Sequence, residues 1–169
     1  DPESDFGRHY QTGEKIPAAL LDRIEAMQNF DAGMVGLRQT FFGMLDMKWH
    51  ATDPATIASV ETLEDGVCAV ASLTPRVGGG MSTCFTHLFA GGYAAGYYGY
   101  KWADVMAADV FAKSQENGKI YDKPFLKRVQ ESIYETGGTR DPAVLYRELM
   151  GRDPDPDALF RREGLKPAL

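Results

Sequence analysis

The sequence predicts an all-α fold: several helices around a core, with one glycine-rich loop lining a cleft. Three observations predict it. Apolar residues recur at spacings of three and four through most of the chain. Pro, Asp and Gly punctuate these runs where helices start and stop. No stretch alternates convincingly as a half-buried strand would. Pro17 opens a first helix, where its missing N–H is harmless. Leu20, Leu21, Ile24 and Met27 give that helix one apolar stripe, reaching about Phe30. Asp31 is placed to cap a second helix, whose stripe reads Met34, Leu37, Phe41, Met44 and Leu45 and continues to Trp49. Asp53-Pro54 predicts the next start, and the third helix carries Ile57, Val60, Leu63, Val67, Val70 and Ala71.

Residues 73–83 read as a loop, with Pro75 and the run Gly78-Gly79-Gly80. The following segment turns helical from about Gly96 and continues through Trp102, Val105, Met106, Asp109 and Phe111 to about Glu116, where Asn117-Gly118 ends it. Residues 124–134 form another helix, closed by Gly137-Gly138. Asp141-Pro142 starts one that ends near Met150-Gly151. Beyond Pro154 and Pro156 a short helix runs from Asp157 to about Glu163, with Gly164 behind it. No internal repeat and no long linker interrupts the series, so residues 1–169 are expected to form a single helical domain.

The totals exclude several functions. The 169 residues suffice for a real core. Net charge is −6, from 24 acidic and 18 basic side chains, which disfavours a nucleic-acid partner. No apolar run reaches the roughly 18 residues that span a bilayer, and the acidic, polar first residues give no secretory signal. Cys68 and Cys84, sixteen residues apart, fit no common zinc spacing and read as two buried free thiols. A cytoplasmic compartment follows. The chain begins at Asp1 rather than Met, which leaves a processed protein, an expression fragment and a cleavage product all open.

The chemistry concentrates in His87-Leu88-Phe89-Ala90-Gly91-Gly92-Tyr93-Ala94-Ala95-Gly96-Tyr97-Tyr98-Gly99-Tyr100-Lys101-Trp102. Glycines let a backbone bend and let a ligand approach, while phenols combine an apolar ring with a hydroxyl donor. If the segment is helical, Tyr93, Tyr97 and Tyr100 share one face, and Tyr98 points into the core. A plain tyrosine-rich helix packing with wet hydroxyls is the alternative; the glycines weigh against it by about 1 kcal/mol each. His87 beside Leu88 and Phe89 would on its own read as a hydrogen-bonded core residue, and the company of the tyrosines reverses that reading. His9 and His50 read as surface or helix-end residues. None of the three histidines is followed by Glu, so a His-Glu-x-x-His zinc helix is absent. The triple glycine lacks the Gly-Lys-Ser/Thr of a phosphate-binding loop and reads as a mobile turn. No serine sits in a Gly-x-Ser-x-Gly elbow. Glu61, Glu64 and Asp65 read as a solvated acidic face.

The run from Phe85 to Asp109 closely resembles the glycine–tyrosine region of the M3 zinc oligopeptidases. Gly137-Gly138-Thr139-Arg140-Asp141-Pro142, Gly151-Arg152-Asp153-Pro154-Asp155 and Gly164-Leu165 are similar to the closing segments of that family, and His9-Tyr10-Gln11-Thr12-Gly13-Glu14 with Pro17 to the stretch that follows its zinc site. The resemblance therefore spans essentially the whole chain. It implies the C-terminal portion of a zincin-type M3 catalytic domain, in an enzyme that hydrolyses short peptides. Family members are several times longer, and their zinc ligands precede the region matched here. Zinc is thus implied for the full-length enzyme with no ligand in this chain, and the isolated chain is expected to be inactive. By position, Tyr100 and Tyr93 are implied to donate toward the scissile carbonyl, His87 to hydrogen-bond substrate near the cleavage site, and Tyr97, Gly91 and Gly92 to bind substrate. The implied partners are short peptides and the zinc-bearing part of the same protein or a separate chain. A non-catalytic peptide-binding or interaction module that kept the tyrosine loop is the rival reading, and a complementing chain for a zinc-bearing polypeptide is a third. An exposed apolar face on the first two helices would favour the need for such a covering part.

Overall fold

A computed structural model describes residues 7–72, 74, 77–116 and 122–165. The described chain is all-α. Seven α-helices follow in order: α1 (Ala18–Ala26), α2 (Ala32–Ala51), α3 (Val60–Ala71), α4 (Gly99–Gln115), α5 (Lys123–Val129), α6 (Pro142–Met150) and α7 (Pro156–Arg162). Short 3₁₀ turns occupy Pro54–Thr56, Thr86–Leu88 and Gly137–Thr139, and a π-turn at Gln130–Tyr134 extends α5. Among the described residues there is no strand, only an isolated antiparallel bridge between Arg8 and Lys15. The chain divides into two compact units, Asp1–Ala32 and Gly33–Leu169. In the first, a turn at Gly13 (φ 70°) leads into α1. The apolar side chains Leu20, Ile24, Met27 and Phe30 all stand exposed, and α1 buries no residue.

The helix starts follow capping chemistry, but two of them, those of α3 and α7, are shifted from the predicted positions. Asp141 accepts from the Ala143 and Val144 N–H groups at 2.7 and 3.3 Å, and Pro142 sits in the first turn. Asp155 caps α7, one step before the predicted Asp157 start, because its carboxylate accepts from the Asp157 N–H at 3.0 Å. Gly151 ends α6 at φ 75°, a conformation that only glycine adopts cheaply. The third helix starts later than Asp53-Pro54 predicts. Asp53 caps only the 3₁₀ turn at Pro54–Thr56, and Ser59 caps α3 by accepting from the Thr62 N–H at 3.1 Å. The expected roles of Pro75 and Asn117-Gly118 lie outside the described residues.

Within the second unit, one core joins α2 and α3 to the loop before α4. Leu45, Leu63, Val67 and Leu88 are buried together, with Phe41, Met44, Trp49, Ile57, Met81 and Phe85 packed around them. Complete burial of Leu45 and of Leu88 contributes roughly 1.5–3 kcal/mol each. Val70, predicted on this stripe, is instead exposed. A second core packs Val105, Ala108 and Ala112 of α4 on Ala158 and Leu159 of α7. Between α4 and the segment from α5 to α6 runs an open apolar groove of about 760 Å³, lined by Ala103, Ala107, Val110, Phe125, Val129 and Ile133 among others. Among the described residues no helix is long and apolar enough to cross a membrane.

A candidate peptide-binding site built on the tyrosine loop

Three of the four tyrosines converge on His87. Its ring centroid lies 5.1 Å from that of Tyr93, 5.4 Å from Tyr97 and 5.9 Å from Tyr100. Tyr93 and Tyr100 are stacked at 5.1 Å with 22° between their planes, and Tyr97 meets Tyr100 at 5.1 Å. The convergence is not a helical stripe. The segment stays in turn conformation up to Tyr98, and α4 begins at Gly99, so Tyr93 reaches its partners across a loop. Gly91 makes this possible: a Cβ there would meet Tyr93 Cδ2 at 3.3 Å and His87 Cα at 3.6 Å. Gly92 takes φ 74°, where a side chain would be strained.

The two outer phenols remain accessible: Tyr93 and Tyr100 are each 39% exposed. A hydrogen bond with Tyr93, then partial desolvation, pushes the Tyr100 phenol up to about 12. Tyr97 forms the floor. It is buried against Phe42 and Phe85, at 5.6 and 5.0 Å, and its hydroxyl donates to Gln39 Oε1 at 3.0 Å. Burial raises the Tyr97 phenol above its ordinary value, against the opposing pull of Arg38 and Gln39. Tyr98 does not point into the core as predicted. It is 61% exposed, at the position immediately before α4.

Two buried carboxylates that the sequence reading missed hold this half of the molecule in shape. Asp46, on α2, is fully buried. Its Oδ1 accepts from the Ala95 N–H and its Oδ2 from the Tyr97 N–H, both at 3.0 Å. His50 Nδ1 lies 2.8 Å from the Asp46 carbonyl oxygen and 3.1 Å from its Oδ1, as suits a histidine in the last turn of a helix. Glu64, on α3, is likewise fully buried and accepts from the Met81 and Ser82 N–H groups at 3.1 and 2.5 Å. The solvated patch predicted at Glu61, Glu64 and Asp65 is therefore corrected: Glu61 and Asp65 are exposed, but Glu64 turns inward with Leu63 and Val67. Gly80 lies directly against it, since a Cβ there would meet Glu64 Oε2 at 2.7 Å. Ser82 also accepts from Trp49 Nε1 at 2.7 Å. Both acids were detectable as charges falling on apolar helix stripes, Asp46 beside Phe42, Leu45 and Trp49, and Glu64 beside Leu63 and Val67.

The remaining candidates are placed as follows. His9 is exposed, with Nδ1 accepting from the Gln11 and Thr12 N–H groups at 3.3 Å. Cys68 and Cys84 are free thiols, but neither is buried: Cys68 is half-buried, and Cys84 is exposed beside Met81, 3.3 Å from its carbonyl oxygen. Among the described residues no cluster of three His, Cys, Asp or Glu could hold a metal ion. The described side chains therefore do not fit a zinc centre.

The model for Peptidase family M3 matches residues 1–165. Oligopeptidase A of Escherichia coli is 40% identical over 160 residues, covering 94% of this chain and 23% of that protein. Oligopeptidase A of Salmonella typhimurium is 39% identical over the same shares. Dipeptidyl carboxypeptidase of Salmonella typhimurium is 31% identical over 166 residues, 95% of this chain and 24% of that protein. The chain thus spans about a quarter of the length of these curated relatives.

Proposed function

Since this chain belongs to peptidase family M3, we propose that it is the substrate-gripping portion of a zinc-dependent oligopeptidase that hydrolyses short peptides. The observation that carries this reading is the exposed, stacked Tyr93–Tyr100 pair beside His87. Tyr100, whose proton is held up to about pH 12, remains a neutral donor at any physiological pH. Its hydroxyl exchanges its bond with Tyr93 for one to the carbonyl oxygen of the scissile peptide, and that bond strengthens as negative charge develops there. A donor used this way is worth about 2.7–4 kcal/mol of barrier. His87 hydrogen-bonds the peptide beside the cleavage site. Tyr97, Gly91 and Gly92 shape the surface on which it lies. The zinc implied by the family would be held by residues other than those described and would supply Lewis-acid activation of the attacking water.

Two features support a covering partner from that same enzyme. The apolar stripe of α1 lies exposed, and the groove between α4 and α5–α6 is open and apolar. We place the protein in the cytoplasm, where its two free thiols stay reduced.

The test is Tyr100→Phe in the full-length, zinc-loaded enzyme. A fall in kcat of about 10²–10³ with KM little changed is expected for a donor that acts in the transition state; wild-type kcat would sink the reading. The isolated chain with added zinc should show no metal-dependent peptide turnover.

A further inference from the structure

We propose that Asp46 is a positioning residue of the tyrosine site, whose carboxylate fixes the turn at residues 93–97 and thereby the spacing of Tyr93 and Tyr100. This rests on the reading that those hydroxyls hold the peptide.

The physical case begins with the cost of the residue. A fully buried carboxylate on an apolar helix face is expensive unless its charge is answered, and a hydrophobic residue there would serve stability at least as well. The charge is answered chiefly by loop backbone. The Ala95 and Tyr97 N–H groups each occupy one carboxylate oxygen, and they bracket Gly96. The turn they define is unfavourable by itself. Ala95 sits at φ 55°, in the left-handed region where an alanine is strained, and the Tyr93 carbonyl accepts from the Gly96 N–H at 2.7 Å to close it. A loop with Gly91, Gly92 and Gly96 has little intrinsic preference for any one path. An acceptor-only group that needs both N–H donors at once selects one path out of many. The residues it pins lie between the two stacked phenols, so their register follows from it. Glu64 holds the preceding bend at Met81 and Ser82 by the same device, but that bend carries none of the proposed site residues.

The experiment compares Asp46→Asn and Tyr100→Phe, singly and together, in the full-length zinc-loaded enzyme, measuring kcat, KM and zinc content on a short peptide. Asparagine keeps the shape but turns an N–H₂ toward one of the two backbone donors. Asp46→Asn should lower kcat/KM on the order of 10- to 100-fold when Tyr100 is present, with zinc content unchanged. In the Tyr100→Phe background the same change should cost about threefold or less, because the two residues act through one geometry. Equal losses in both backgrounds would mark a merely structural role and overturn the proposal, as would a single-variant loss under about threefold. A Tyr100→Phe enzyme with wild-type kcat/KM would instead remove the underlying reading, and that outcome is visible without Asp46. Should Asp46→Asn fail to fold, the wild-type amides decide. Ala95 and Tyr97 should exchange about 100-fold or more slower than open loop amides, and exchange at the open rate overturns the proposal.

Discussion

Tyr146 and Tyr100 both hold their protons more tightly than an ordinary phenol, and they do so for opposite reasons. Tyr146 is buried in the second unit, where burial comes first and its hydrogen bond to Asp109, at 2.6 Å, comes next. Tyr100 stands partly in solvent, and its neighbour Tyr93 is the main cause. The Asp109 network is closed. Its carboxylate takes the Tyr146 hydroxyl, two Arg152 nitrogens at 2.6 and 2.7 Å and the Asp155 N–H at 2.9 Å, joining α4, α6 and the start of α7. Both of its oxygens are bonded within the protein, and the residue is buried. The Tyr93–Tyr100 pair is open, with each residue 39% exposed. A raised phenol therefore accompanies a buried network in one place and an accessible pair in the other, and accessibility rather than the shift separates them.

The largest effect that can break this comparison is on stability. Asp109→Asn leaves the Arg152 cation without its bidentate partner, and denaturant melts should show a loss of about 3 kcal/mol, at the low end for a buried pair because Arg152 is half exposed. A loss below 1 kcal/mol would mean the network is not the lock described. Next in size, Gly80→Ala drives a methyl against the Glu64 carboxylate, at 2.7 and 2.9 Å from its oxygens. It should cost about 1–3 kcal/mol by the same melts; a neutral result would show that the Glu64 clamp yields.

Acid sharpens the contrast. Burial by itself would raise the Asp109 carboxyl, but the bonds from Arg152, Tyr146 and Asp155 outweigh it and hold the pKa below the usual 3.8. A depressed carboxyl contributes stability above its unfolded value and loses that contribution as pH falls through the folded one. The gap between wild type and Asp109→Asn should thus be full at pH 7 and narrow as pH drops below 3.8. A constant gap would assign the loss to packing. The smallest effect is spectroscopic. Tyr93→Phe should leave stability nearly unchanged and bring the Tyr100 phenol from about 12 back toward 10.0, read as ultraviolet difference titration against Tyr100→Phe.

Much of this was legible in the sequence. Asp141-Pro142 and Gly151 mark α6 because capping and left-handed termination act within a few residues. The α2 and α3 stripes give the first core, since period and burial are locally coupled. His87, Tyr93, Tyr97 and Tyr100 were legible as a group from composition. Their meeting was not, because Tyr93 joins through a glycine turn and not along a helix face. Tyr98 was misread because an aromatic ring off the cluster face was assigned to the core, and it is exposed; Ser59 was overlooked because Asp53-Pro54 is the louder start signal.

The sequence alone determined the helical class, the helix ends and the supply of phenols, for these follow from interactions spanning only a few residues. Which carboxylates are buried, which phenols stay wet and how the loop is bent were decided by the tertiary structure. Asp46 finds its partners at Ala95 and Tyr97, and Asp109 its own at Tyr146 and Arg152, dozens of positions away. A charge has no favourable place inside a protein until distant backbone or side chains arrive to answer it, and only the completed fold brings them there.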